Sequence, residues 1–236
     1  MIFASILVLI ITIIAIFPYI IVFRIMEFDR KFGIVYAPRV ALSEIYDVLK
    51  SGDILLFVSA THMPTNSGFT QTFFSHTALI VHDDELLASE SQGGVELMPG
   101  PVYMKSGASL TPLLTRLKYY TGKTYLLRLS HSLDTQREQQ LCIVAKNIVG
   151  YPYPSSCQIV AGAIGIGVNA RHCFQHVAYL LKAIDLLPCN ADISNFLQIC
   201  RDVCALDEAQ LPDNYYYDSP VEVLYDIDYT PVTFST

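Results

Sequence analysis

The chain has 236 residues, enough for one globular domain of ordinary size plus an appendage. It is 52% hydrophobic and only 16% charged, with a net charge of −7. No basic patch or arginine-rich segment is present, which excludes a nucleic-acid binder.

From Ile2 to Phe23 there is no charged side chain. A helix of this run, rising about 1.5 Å per residue, covers the roughly 30 Å hydrocarbon core of a bilayer. A cleaved signal peptide would need a basic n-region, a shorter apolar run and a small-residue cleavage site, and none precedes Arg24. A buried core helix would show one polar face, and this run shows none. Residues 1–23 therefore read as a single transmembrane anchor. Arg24, Arg30 and Lys31 follow the span and nothing basic but the terminal amine precedes it, so the positive-inside rule places the following domain in the cytosol.

Three further stretches follow: a juxtamembrane connector at 24–41, a globular domain at 42–204, and an acidic, tyrosine-rich tail at 205–236. The tail contains Tyr215, Tyr216 and Tyr217 in a row and lacks Lys and Arg altogether. Its seven carboxylates, from Asp207 to Asp228, match the whole net charge of −7. It reads either as a solvated extension or as a segment that docks a protein partner.

Within the domain, Ala41–Leu49 fits a short helix with Ser43 as cap, ended by Ser51-Gly52-Asp53. Ile54–Val58 is an apolar run of strand length, and Ala60–Phe69 fits a loop. Strands are expected at Thr77–Val81, Glu85–Ala88 and Gly94–Met98, the first two joined as a hairpin across His82-Asp83-Asp84. Tyr125–Leu129 is another strand. Asp134 caps a helix reaching Val149, stopped by Gly150. The Gly-rich segment Ala161–Val168 leads to Asn169, an N-cap for a helix over Arg171–Ile184. Strands first and helices mostly later predict an α+β fold with an antiparallel sheet.

Of the six cysteines, Cys173 is placed for chemistry. It falls in the first turn of the helix marked by Phe174, Val177, Ala178 and Leu181. There, free N–H groups and the helix dipole stabilise a thiolate and can hold an oxyanion. Cys200 and Cys204 lack a partner pair at zinc-finger spacing and read as small buried hydrophobes, so no metal and no cofactor is expected.

A thiolate needs a base. His172 is the sequence neighbour, His176 is awkward within one helix, and His82 sits in a polar turn. His76 opens a strand, which holds a ring rigidly. A third group should orient the imidazole. Glu90 ends the next strand, and a hairpin across Asp83-Asp84 brings it beside His76.

The series Ser51-Gly-Asp-Ile-Leu-Leu-Phe, Ser75-His76 opening a strand, a strand ending in Glu90 before Gly93-Gly94-Val95, Gly150-Tyr-Pro-Tyr, and Cys173 opening a helix resembles the permuted NlpC-type papain-like superfamily. That group includes YiiX-like proteins, large-DNA-virus members and the lecithin-retinol acyltransferases. The resemblance spans about Ser51 to Leu187. It implies a permuted papain-like domain, with Cys173 as nucleophile, His76 as base, Glu90 as third polar residue, Asp53 as a structural cap and Tyr153 near the cleft. Where members often carry Ser or Thr around the cysteine, this chain has His172 and Phe174. Two functions follow. One is a membrane-anchored thiol hydrolase acting on amide, peptide or lipid-ester acyl groups. The other is a catalytically silent membrane-bound scaffold, such as a viral membrane or capsid-associated component, that keeps the fold.

Overall fold

The computed structural model describes residues 37–58, 76–93, 106–155, 158, 171–187, 215–218 and 220–227. The expected anchor lies outside these residues. So do the loop at 60–69, the strand at 94–98, the Gly-rich segment with Asn169, and Cys200 and Cys204. Among the described residues no helix is long and apolar enough to cross a membrane.

The elements in chain order are β1 (Arg39–Ala41), α1 (Leu42–Ile45, continuing as a 3-10 turn over Tyr46–Val48), β2 (Ile54–Val58), β3 (His76–His82) and β4 (Leu86–Gln92). Then come β5 (Gly107–Pro112), α2 (Leu113–Lys118), β6 (Lys123–Leu127), α3 (Thr135–Asn147), α4 (Cys173–Ala183) and β7 (Val221–Leu224). This is a mixed α+β fold built on one seven-stranded sheet of order β1-β7-β6-β2-β3-β4-β5. Neighbours are antiparallel except β1 and β7, which run parallel.

Helices cover both faces of the sheet, so its middle strands are apolar on both sides rather than alternating. Ile54, Leu56, Leu79 and Val81 pack on one face with Leu141 of α3 and Phe174, Val177 and Leu181 of α4. Leu55, Phe57, Ala78 and Ile80 pack on the other with Leu42, Leu113 and Leu117. Each such buried leucine or isoleucine is worth about 2–5 kcal/mol against truncation to alanine.

Local signals match where they are strong. Asp134 caps α3 by accepting from the Arg137 N–H at 2.8 Å. Gly150 stops it at a φ of 83°, a left-handed value that glycine takes at no steric cost. Asp83 and Asp84 turn β3 into β4, in the register Ala78 opposite Glu90 and His82 opposite Leu86.

Three expectations are corrected. The chain beyond 204 is not only a tail: Val221–Leu224 is an interior strand between β1 and β6. Its acids have partners as well, since Glu222 pairs with Arg39 at 3.2 Å and Lys123 at 3.4 Å. Its apolar face is only Val221 and Val223, too brief to stand out among the carboxylates. By the same pairing β1 begins the folded domain inside the expected connector, at Arg39. Ser43 does not cap α1. The N-cap position is Ala41, and it is the Asp226 carboxylate that accepts from both the Ser43 N–H and its hydroxyl. Helix α4 begins at Cys173 with His172 at the N-cap position.

Candidate functional site

The site forms where the first residue of β3, the last turn of β4 and the first residue of α4 converge. In the β3–β4 register Glu90 lies opposite Ala78, so His76 is its diagonal neighbour on the same face. His76 Nε2 is 2.6 Å from Glu90 Oε2. His76 and Cys173 lie close enough to shift one another's titration, and with Nε2 turned to Glu90 the ring nitrogen left for the sulfur is Nδ1. The structure thus brings Cys173, His76 and Glu90 together in one chain of contacts. The ring is further placed by Phe57 on β2, whose centroid is 5.6 Å away.

Glu90 is fully buried and its carboxylate is saturated with donors. Besides His76, Gln92 Nε2 donates to Oε2 at 2.9 Å, and Arg116 Nε donates to Oε1 at 2.8 Å and to Oε2 at 3.0 Å. Arg116 comes from α2 and is itself buried, its guanidinium 4.6 Å from the Phe57 ring centroid and 5.1 Å from that of Tyr120. Burial alone would push the Glu90 acid upward. The Arg116 charge and the His76 hydrogen bond outweigh it and hold the carboxylate at about 2.

The other two groups are shifted in opposite directions. Burial disfavours a charged His76, yet the neighbouring Cys173 and Glu90 raise it to about 9. Burial likewise disfavours a thiolate at Cys173, yet the neighbouring His172 and His76 bring it down to about 6. Cys173 is the N1 residue of α4, so its own N–H has no acceptor within the helix and the dipole adds in the same sense. These opposite shifts favour a thiolate–imidazolium pair near neutral pH.

The remaining histidines separate. His172, at the N-cap position of α4, sits close enough to Cys173 to help lower its thiol. His176 faces the sheet, with Nε2 2.9 Å from Ser89 Oγ, and burial lowers it to about 4, so it stays neutral in the core. His82 closes the far end of β3, where its N–H donates to Ser51 Oγ at 2.9 Å. Asp53 acts as the structural cap: its carboxylate accepts from Lys50 N–H at 3.1 Å and Leu129 N–H at 2.8 Å. Tyr153 lies against Gly93, where an added Cβ would come within 2.5 Å of its ring. It is close enough to Cys173 that the sulfur, after burial, helps push its phenol upward.

Sequence reasoning missed Arg116 and Gln92. The one visible signal was a lone arginine inside the apolar stretch Leu113-Leu-Thr-Arg-Leu, which a solvated helix face explains equally well.

No protein-family model matches the sequence, and no curated protein matches it either. Among solved structures the chain is similar to the metalloprotein YiiX of Escherichia coli O157:H7, at 16% identity and a TM-score of 0.44, over 75% of this chain and 97% of that one. The likeness is distant and says nothing about activity.

Proposed function

We propose that the protein is a membrane-anchored thiol hydrolase of the permuted papain-like type, acting through Cys173, His76 and Glu90. The observation that carries this reading is the His76 ring, 2.6 Å from the buried Glu90 carboxylate and electrostatically coupled to Cys173. In the reaction the Cys173 thiolate attacks an amide or ester carbonyl. The imidazolium of His76 gives its proton to the departing amine or alkoxide, leaving a thioester. Neutral His76 then takes a proton from water, the hydroxide attacks the thioester carbonyl and displaces the Cys173 thiolate, and the acid leaves with the thiolate and imidazolium restored. Glu90 stays ionised throughout and holds the ring in place. N–H groups at the start of α4 suit the oxyanion. The apolar run from Ile2 to Phe23 supports an anchor that brings this chemistry to membrane-linked substrates, peptide or lipid.

The competing reading is a silent scaffold, and the burial of Cys173, 5% exposed, is the observation in its favour. One experiment separates the two. The full-length chain in detergent is alkylated across pH 4–10 and the Cys173 peptide is quantified by mass spectrometry, with His76→Ala in parallel. The hydrolase reading expects an acid limb near 6 that moves toward the free-thiol value of about 8.5 in the variant. It also expects a single acyl adduct on Cys173 after incubation with an activated ester. A thiol that neither alkylates nor responds to His76 would leave the scaffold.

A further inference from the structure

Glu90 can meet a neutral His76 in either of two arrangements, and only one lets the ring take the Cys173 proton. As an ionised acceptor it requires a hydrogen on His76 Nε2, which leaves the Nδ1 lone pair for the Cys173 proton. As a neutral acid it would donate to Nε2, place the ring hydrogen on Nδ1, and present a donor to the sulfur. A buried carboxylate facing a single imidazole has no strong reason to stay charged, because burial favours the neutral acid.

We infer that Arg116 is a positioning residue of this site: its guanidinium keeps Glu90 an acceptor and thereby fixes which ring nitrogen of a neutral His76 carries the hydrogen. The inference rests on the thiol reading above. Arg116 does not touch the sulfur. It donates through Nε to both oxygens of Glu90, at 2.8 and 3.0 Å. It is 1% exposed and clasped by the rings of Phe57 and Tyr120, so it has nowhere to turn. A guanidinium does not release its proton in a protein, so its charge is permanent. Protonating Glu90 would therefore strand a buried cation, and that cost locks the carboxylate in its charged form.

The groups around Glu90 allow the effect to be read. From β3 it faces His76, from its own strand Gln92, and from α2 Arg116. From α4 His176 lies within electrostatic reach but is neutral, and the Cys173 sulfur lies beyond His76 with His172 and Tyr153 about it. Among the described residues Arg116 is thus the permanent cation in contact with Glu90, Arg171 acting on His176 instead.

The test uses the full-length chain in detergent and the pH dependence of Cys173 alkylation. Arg116→Gln keeps a donor and removes the charge, whereas Arg116→Lys keeps the charge and gives up the planar fork. The expected result is an acid limb about one unit higher in Arg116→Gln, or about fivefold slower alkylation at pH 6, with Arg116→Lys close to wild type. Equal limbs in the two variants, or a wild-type limb in Arg116→Gln, would overturn the role of Arg116 while a His76-dependent limb near 6 in the wild type preserves the thiol reading. A wild-type limb indifferent to His76→Ala would overturn both. If Arg116→Gln does not fold, nitrogen-15 NMR of the wild-type His76 ring, taken above its pKa of about 9, decides. Hydrogen on Nε2 supports the inference and hydrogen on Nδ1 refutes it.

Discussion

His76 and Glu90 stand two residues out of register on adjacent antiparallel strands, and Nε2 of one lies 2.6 Å from Oε2 of the other. The diagonal matters. A directly opposed pair would place the ring over the carboxylate's own strand position, whereas the offset leaves the ring at the strand end, beside the start of α4. The same offset lets Arg116 and Gln92 fill the remaining lone pairs of Glu90.

Breaking that cluster on one side should cost more than removing it. Glu90→Gln keeps the shape and strands the Arg116 charge, so it should lose about 3–5 kcal/mol in a urea unfolding curve. Glu90→Gln combined with Arg116→Met strands nothing and should recover part of that loss. Strict additivity of the two single changes would show that the residues do not interact.

Cys173→Ala should abolish acyl-adduct formation and leave the chain folded, because the side chain it shortens is small. It should also release His76. Its elevated pKa of about 9 is held against burial first by Cys173, so the ring should titrate lower in the variant, as followed by NMR. An unchanged His76 titration would mean that the sulfur is not its partner.

Stability should vary with pH in a way that separates the groups. Glu90 is depressed from 4.5 to about 2, so its contribution is present above 4.5 and lost as pH falls through 2. Asp53 is pushed up from 3.8 to about 6, mainly by burial, so its ionisation lowers stability as pH rises through that interval. His76, raised from 6.5 to about 9, contributes fully below 6.5 and loses its effect above 9. Cys173, lowered from 9 to about 6, contributes fully above 9 and loses its effect below 6. These two contributions run in opposite senses and nearly cancel, so the Tm difference between wild type and a Cys173→Ala/His76→Ala double variant should be almost flat between pH 6.5 and 9. A difference that rises or falls steeply across that interval would show that only one of the two groups is shifted.

Truncation after residue 204 should unfold the domain rather than trim a tail, since β7 fills the place between β1 and β6. A milder probe is Tyr217→Phe. The Tyr217 hydroxyl donates to the Gly52 carbonyl at 2.8 Å in a buried contact, and its loss should cost about 1 kcal/mol by thermal melting. Retention of a cooperative melt after truncation would show that β7 is dispensable.

What the sequence determined by itself is local. The five apolar residues of β2, the Asp134 cap, the hairpin at Asp83-Asp84 and the cysteine opening an amphipathic helix are all set by neighbours within a turn or two. The hairpin is enough to bring His76 and Glu90 together across 14 positions. Tertiary structure alone decided the rest. Arg39 pairs with Glu222 across 183 positions, and Asp226 caps a helix at the same separation. Arg116 is buried on Glu90 from a short helix whose pattern suits solvent equally well. Periodicity reports which side of an element is apolar, but not which distant strand completes a sheet edge or which charge enters a core. Those depend on the surfaces and unpaired charges left once the local elements have formed, and only the packed molecule specifies them.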